Sequence, residues 1–349
     1  MAEHPYYNHA LHGPYSLYGL GDFMLEDGGT IPDASLAYTT FGALNASKDN
    51  AILIPTWYAG TGKIFDTTYI GPGRALDPQR WFIIVVNQLG GGLSSSPHNS
   101  PAARGAPFPR VRIGDDVLAQ QRLVTSLFGI SRLALVTGGS MGAQQTFDWA
   151  VRFPDMVARA APFCGTARTS DHNRLCVEAL AESIMSDPAW QGGAYGASTD
   201  VQLGLRRHAK LLAVLGFSAE FYRRQLWRGL GFGCVADFVS GFLETFMLPM
   251  DANDLLSMAW KWRHADVSRL EHGDLAAALG RITAKTFVMP IDEDLYFPPK
   301  DCAAEQRLIA NSELRVLNSP FGHTASVGID PQWMAQFDHH LGELLATPA

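Results

Sequence analysis

Apolar residues fall along this chain in short runs separated by glycine- and proline-rich turns. Trp81–Asn87 (WFIIVVN) is almost wholly apolar and β-branched, the pattern of a strand covered on both faces. Ala51–Thr56 (AILIPT), Arg132–Thr137 (RLALVT) and Ala158–Cys164 repeat that pattern, and Ala34–Gly42 (ASLAYTTFG) alternates in part. Between these runs the period lengthens. Asp115–Ile130 carries apolar residues at Val117, Leu118, Leu123, Val124, Leu127 and Phe128 behind an acidic first turn, which predicts a helix. Met141–Phe153 predicts another. From about Arg168 to Gly280 helical patterns dominate, with aromatic residues such as Trp190, Phe217, Phe221, Phe242 and Trp262 spread through them. The strand–helix alternation returns with Lys285–Pro290, a helix near Cys302–Asn311, a strand over Glu313–Asn318 and a last helix from Pro331. The expected architecture is α/β with a mostly parallel central sheet. Its core domain takes residues 1–165 and 281–349, interrupted by a helical lid of residues 166–280.

Composition narrows the class without changing that picture. A chain of 349 residues is long enough to bury a core without disulfides or metals. Hydrophobic residues make up 47% and charged residues 17%, which excludes a disordered chain. Lys and Arg number 27 against 34 Asp and Glu, a net charge of −7. That balance argues against nucleic acid, or an anionic membrane surface, as a partner. No apolar run approaches the roughly 18 residues of a membrane span. The stretch MAEHPYYNHALHG lacks the basic-then-apolar order of a secretory signal, so a cytoplasmic location is expected. Cys164, Cys176, Cys234 and Cys302 include no CxxC pair, so no disulfide framework and no zinc site is expected. Neither a metal nor a cofactor is expected.

The chemistry concentrates at Gly138-Gly139-Ser140-Met141-Gly142. This is G-x-S-x-G placed between a buried strand and a helix, the context that gives the motif meaning. A sharp strand-to-helix turn strains its central residue and crowds its neighbours, and glycines two before and two after relieve the crowding. Ser140 is the candidate nucleophile. The backbone N–H of Met141, at the positive end of the helix, is a candidate oxyanion donor. A second donor belongs in the loop after the third strand, where the Trp57 N–H is the candidate and Tyr58 a candidate pocket residue.

A serine needs a base held in orientation. Ser319-Pro320-Phe321-Gly322-His323-Thr324 follows the strand Glu313–Asn318, and His323 is the one histidine in that loop. The acid belongs after Lys285–Pro290, where Asp292, Glu293 and Asp294 are all in range. Local reading does not choose among them. His98 reads as a surface-loop residue, with contact to substrate as the alternative, and His339 and His340 as surface residues of the last helix.

These segments resemble the homoserine O-acetyltransferase family of the α/β-hydrolase superfamily. Gly138–Ala150 (GGSMGAQQTFDWA) is similar to that family's nucleophile segment. Gly71–Gly92 (GPGRALDPQRWFIIVVNQLGGG) and Ser186–Tyr195 (SDPAWQGGAY) also resemble family motifs. Asp294-Leu295-Tyr296-Phe297-Pro298-Pro299 is similar to its acid loop, which selects Asp294, and Gly322-His323 matches its base loop. The resemblance implies an α/β-hydrolase fold with a helical lid, a Ser140–His323–Asp294 triad, acyl transfer through an acyl-enzyme, and a homodimer packed through the lid.

Two positions depart from the transferases. Those enzymes carry Asp after the catalytic His, and a Tyr-Arg-Ser segment whose Arg holds the acceptor carboxylate. Here the corresponding residues are Thr324 and the stretch Leu215–Glu220 (LGFSAE), with Arg223 and Arg224 several residues later. A zwitterion buried without partners costs several kcal/mol. The expectation is therefore a carboxylic ester hydrolase acting on small, uncharged short-chain acyl esters such as alkyl acetates. The alternative is a homoserine O-acyltransferase using acetyl-CoA or succinyl-CoA.

Overall fold

A computed structural model describes residues 4–100, 108–197 and 199–348. The chain enters its sheet through β1 (Ser16–Met24) and β2 (Thr30–Phe41), which pair antiparallel. Then come β3 (Ala51–Pro55), β4 (Phe82–Val86), β5 (Leu135–Gly139) and β6 (Arg159–Phe163), with every residue buried. β7 (Lys285–Val288) and β8 (Ser312–Leu314) complete the sheet. The order across it is β1-β2-β4-β3-β5-β6-β7-β8. β2 meets β4 antiparallel, and every pairing from β4 to β8 is parallel. Full burial of β3 to β6 is what a parallel sheet covered by helices on both faces requires, and it explains their unbroken apolar runs.

β1 lacks such a run. It is mostly exposed, and its register shifts around Gly19 and Gly21, so the pattern of the sequence does not reveal it. The helix expected over Asp115–Ile130 starts earlier, at Ile113, and passes after Arg122 into a π-helical turn, Leu123–Leu127. Asp115 sits at its third position, where one carboxylate oxygen accepts the Arg112 N–H at 2.7 Å and the other accepts the Glu26 N–H at 2.8 Å. The helix expected near Cys302–Asn311 is Pro299–Gln306, with Pro299 in the first turn, where a missing N–H costs nothing. The strand expected over Glu313–Asn318 is cut to Ser312–Leu314, and Leu317 rejoins the sheet through an isolated bridge to Ile291.

Between β6 and β7 the long helices are Asp171–Met185, Gln202–Gly216 and Ala252–Arg263. The first is capped by Ser170, whose side chain accepts the Asn173 N–H, and the third by Asp251, which accepts from Asn253 and Asp254. Phe217, Phe221 and Phe238 form an apolar centre inside this insertion, whereas Val177, Leu180, Met258 and Trp262 join the core around the sheet. The insertion thus shares the apolar core of the sheet. Among the described residues no helix is long and apolar enough to cross a membrane. All four cysteines are free, and Cys234 alone among them is exposed.

Candidate active site

β5 turns into the helix Met141–Arg152 at Ser140, whose backbone sits at φ 54° and ψ −120°. Side-chain-free neighbours make that turn possible. A β-carbon on Gly138 would lie 2.6 Å from the Gly142 carbonyl oxygen, and one on Gly142 would lie 2.5 Å from the Pro55 carbonyl oxygen. The second contact also seats the helix start directly against the end of β3. The serine hydroxyl is left at the carboxyl ends of the parallel strands, where open α/β sheets bind ligands.

The loops after β7 and β8 deliver the partners. Ser140 Oγ lies 3.2 Å from His323 Nε2, and His323 Nδ1 lies 2.7 Å from Asp294 Oδ2. A carboxylate accepts only, so Nδ1 carries the proton and Nε2 offers its lone pair to the hydroxyl. The other Asp294 oxygen accepts the N–H groups of Tyr296 at 2.8 Å and Phe297 at 3.1 Å. The rings of Tyr296 and Phe297 pack against the imidazole, with centroids 5.1 and 5.7 Å away. The three acidic candidates separate cleanly. Asp292 turns to the backbone of Ser319, 2.8 Å away, and so ties the two loops together, while Glu293 is exposed. Geometry therefore brings Asp294, and neither of its neighbours, to the histidine.

Met141 supplies the first N–H of its helix, a group with no intrahelical acceptor. Trp57 lies in the loop after β3, and its N–H has no acceptor among the described residues. Its indole is buried against Phe65, Tyr69 and Phe163. Neither N–H has a hydrogen-bond acceptor among the described residues.

A cavity of about 540 Å³ opens over Ser140 and His323. Its walls are largely apolar, with Tyr58, Phe242, Phe246, Trp262 and Tyr296 among them, and Thr324 also lines it. Some aromatic residues of the insertion therefore serve the cavity, and others, such as Phe217 and Phe221, its own core. Tyr58 is fixed by a 3.1 Å hydrogen bond to Nε2 of His208, whose Nδ1 lies 2.9 Å from the Leu180 carbonyl. Lys63 is the sole Lys or Arg lining the cavity among the described residues, and it is paired with Asp66 at 2.7 Å. Arg223 is exposed and paired with Glu220, and Arg224 is exposed.

The N-terminal segment supplies a wall that sequence reasoning missed. Tyr6, Leu11 and His12 line the cavity, and His12 Nδ1 lies 3.0 Å from Thr61 Oγ1. No motif marks these residues. His98 corrects an expectation: it is not a free surface residue but lies 2.5 Å from the buried carboxylate of Asp254 and stacks on Tyr7. His339 is exposed as expected, and His340 is half-buried.

Known proteins share this fold. Residues 52–327 match the α/β-hydrolase fold family. An ethyl acetate hydrolase of Pseudomonas veronii is 54% identical over 345 residues, covering 99% of each chain. A crystal structure of an acetylester hydrolase from Corynebacterium glutamicum superposes with a TM-score of 0.98 at 49% identity, covering 99% of this chain and 100% of that one. A homoserine O-acetyltransferase of Chlorobaculum parvum is more distant, 32% identical over 87% of each chain. The chain belongs to the α/β-hydrolase family, as an esterase-like member of its homoserine O-acetyltransferase branch.

Proposed function

We propose that this chain hydrolyses acetate and other short-chain acyl esters of small uncharged alcohols through an acyl-enzyme on Ser140. Ser140 Oγ attacks the ester carbonyl while His323 Nε2 takes its proton, and Asp294 holds the imidazole in the required tautomer. The developing oxyanion rests on the Met141 and Trp57 N–H groups. The alcohol leaves with the proton from His323. Water, deprotonated by the same nitrogen, then attacks the acyl carbonyl and frees Ser140.

The observation that carries this reading is the hydroxyl–imidazole–carboxylate line beneath a cavity whose one lysine is already paired. Among the described residues a free amino acid would find no unpaired Lys or Arg there for its carboxylate. Turnover of ethyl acetate that Ser140→Ala abolishes is the expected result. Thiol release from acetyl-CoA that rises strongly with homoserine would favour the transferase instead. Exposed apolar side chains on the insertion, Leu175, Leu203 and Val214, support a homodimer packed through it, testable by sedimentation. Free, mostly buried cysteines fit a cytoplasmic enzyme.

A further inference from the structure

The peptide joining Thr56 to Trp57 carries two groups that point in opposite directions, because a trans peptide unit is planar. One is the Trp57 N–H and the other is the Thr56 carbonyl. Gln88 Nε2 donates to that carbonyl at 2.6 Å, and Gln145 Nε2 donates to it at 3.3 Å. Both glutamines are buried.

Each amide is in turn oriented by a group that can only donate or that is itself so oriented. Gln88 Oε1 accepts from the ammonium of Lys261 at 3.2 Å, and Lys261 is ion-paired with Asp116, all of them buried. Gln145 Oε1 accepts from Gln120 Nε2 at 2.5 Å, and Gln120 Oε1 accepts from the indole N–H of Trp149 at 2.8 Å. An ammonium and an indole N–H have no acceptor capacity, so the amide oxygens must face them and both NH₂ groups must face Thr56. Two chains of hydrogen bonds therefore end on one carbonyl. One starts at Trp149 in the nucleophile helix, and the other at Lys261 in the inserted helix Ala252–Arg263.

We infer that Gln88 and Gln145 are positioning residues that lock the Thr56–Trp57 peptide plane and so aim the Trp57 N–H at the oxyanion. This rests on the reading of Trp57 as an oxyanion donor given above. Fixing the donor before charge develops removes its reorganisation from the reaction step, which is where such donors gain their effect. Lys261 carries the same restraint to the insertion, which braces the oxyanion loop from behind.

The test replaces the donors without changing volume much: Gln88→Met, Gln145→Met and the double variant, assayed on ethyl acetate. Each single change is expected to lower kcat about tenfold with KM nearly unchanged, since the other amide still holds the carbonyl. The double variant is expected to lose more than the product of the two, because the sites share one acceptor. Affinity for a trifluoromethyl ketone, which forms a tetrahedral oxyanion on serine, falls in step with kcat/KM. A merely structural role lowers the melting temperature and leaves kcat per folded molecule and ketone affinity where they were, and that result overturns the inference. So does a rise in KM at constant kcat. Should the methionine variants fail to fold, Gln88→Ala and Gln145→Ala remove the donor and relieve the crowding, with the same outcomes either way. If wild-type hydrolysis survives Ser140→Ala, the proposed function fails first. If it needs Ser140 and the glutamine variants keep full kcat, this inference alone fails.

Discussion

Gly216 packs against Thr324: a β-carbon placed on the glycine would stand 3.1 Å from the threonine Cγ2. Both residues line the cavity, and Thr324 Oγ1 already donates to the Phe321 carbonyl at 2.9 Å. This side of the cavity thus offers a methyl group and bare backbone next to His323. Thr324→Asp places a carboxylate there, at a cost of several kcal/mol unless it is hydrated or paired. The variant's kcat/KM on ethyl acetate is expected to fall at least about tenfold. An unchanged value would place the ester elsewhere.

Ser140 is held at a positive φ, a conformation that costs a residue with a side chain on the order of 1–3 kcal/mol. Ser140→Ala keeps the strain and removes the hydroxyl, so activity should drop by roughly 10⁴-fold or more with little change in melting temperature. Ser140→Gly removes both and should melt higher. Calorimetry on the pair separates strain from chemistry. A glycine variant melting below the alanine variant would contradict the strain.

Burial pushes the His208 imidazole from 6.5 down to about 4. Its neutral form fits the site, where Nδ1–H donates to Leu180 and Nε2 accepts from Tyr58. The folded value lies below the unfolded one, so this stabilisation is complete above pH 6.5 and is lost as pH falls toward 4. The span corresponds to about 3 kcal/mol. Wild type should therefore lose stability relative to His208→Gln across that window in urea titrations. Parallel curves for the two proteins would rule the effect out.

Lys261 and Asp116 form an ion pair with both side chains fully buried. Lys261→Met leaves a buried carboxylate without its counter-charge and should cost about 3–5 kcal/mol. Lys261→Met with Asp116→Leu should recover most of that loss. Urea midpoints of the three proteins check it, and a single variant as stable as wild type would refute it.

The parts legible in the sequence were those fixed by local sterics and burial. The glycines around Ser140 reveal the turn because Gly138 lies against Gly142, four residues on, although Gly142 itself lies against the distant Pro55. The buried parallel strands reveal themselves as apolar runs. What stayed hidden depends on partners distant in the chain. Asp116 reads as an ordinary acidic residue of a helix start, yet its partner Lys261 lies 145 residues away. His98 reads as a loop residue for the same reason, since Asp254 meets it from 156 residues away. Asp294 could not be told from Asp292 and Glu293 by local pattern, because burial and the N–H groups of Tyr296 and Phe297 set it apart.

The wall formed by Tyr6, Leu11 and His12 has a practical corollary for anyone handling the protein. A fusion partner joined ahead of these residues would sit beside the cavity that holds the serine. The opposite terminus is safer ground. Thr347 is bound by Arg159 at the start of β6, the rim of the sheet opposite the serine, and a tag appended beyond it would leave the cavity clear.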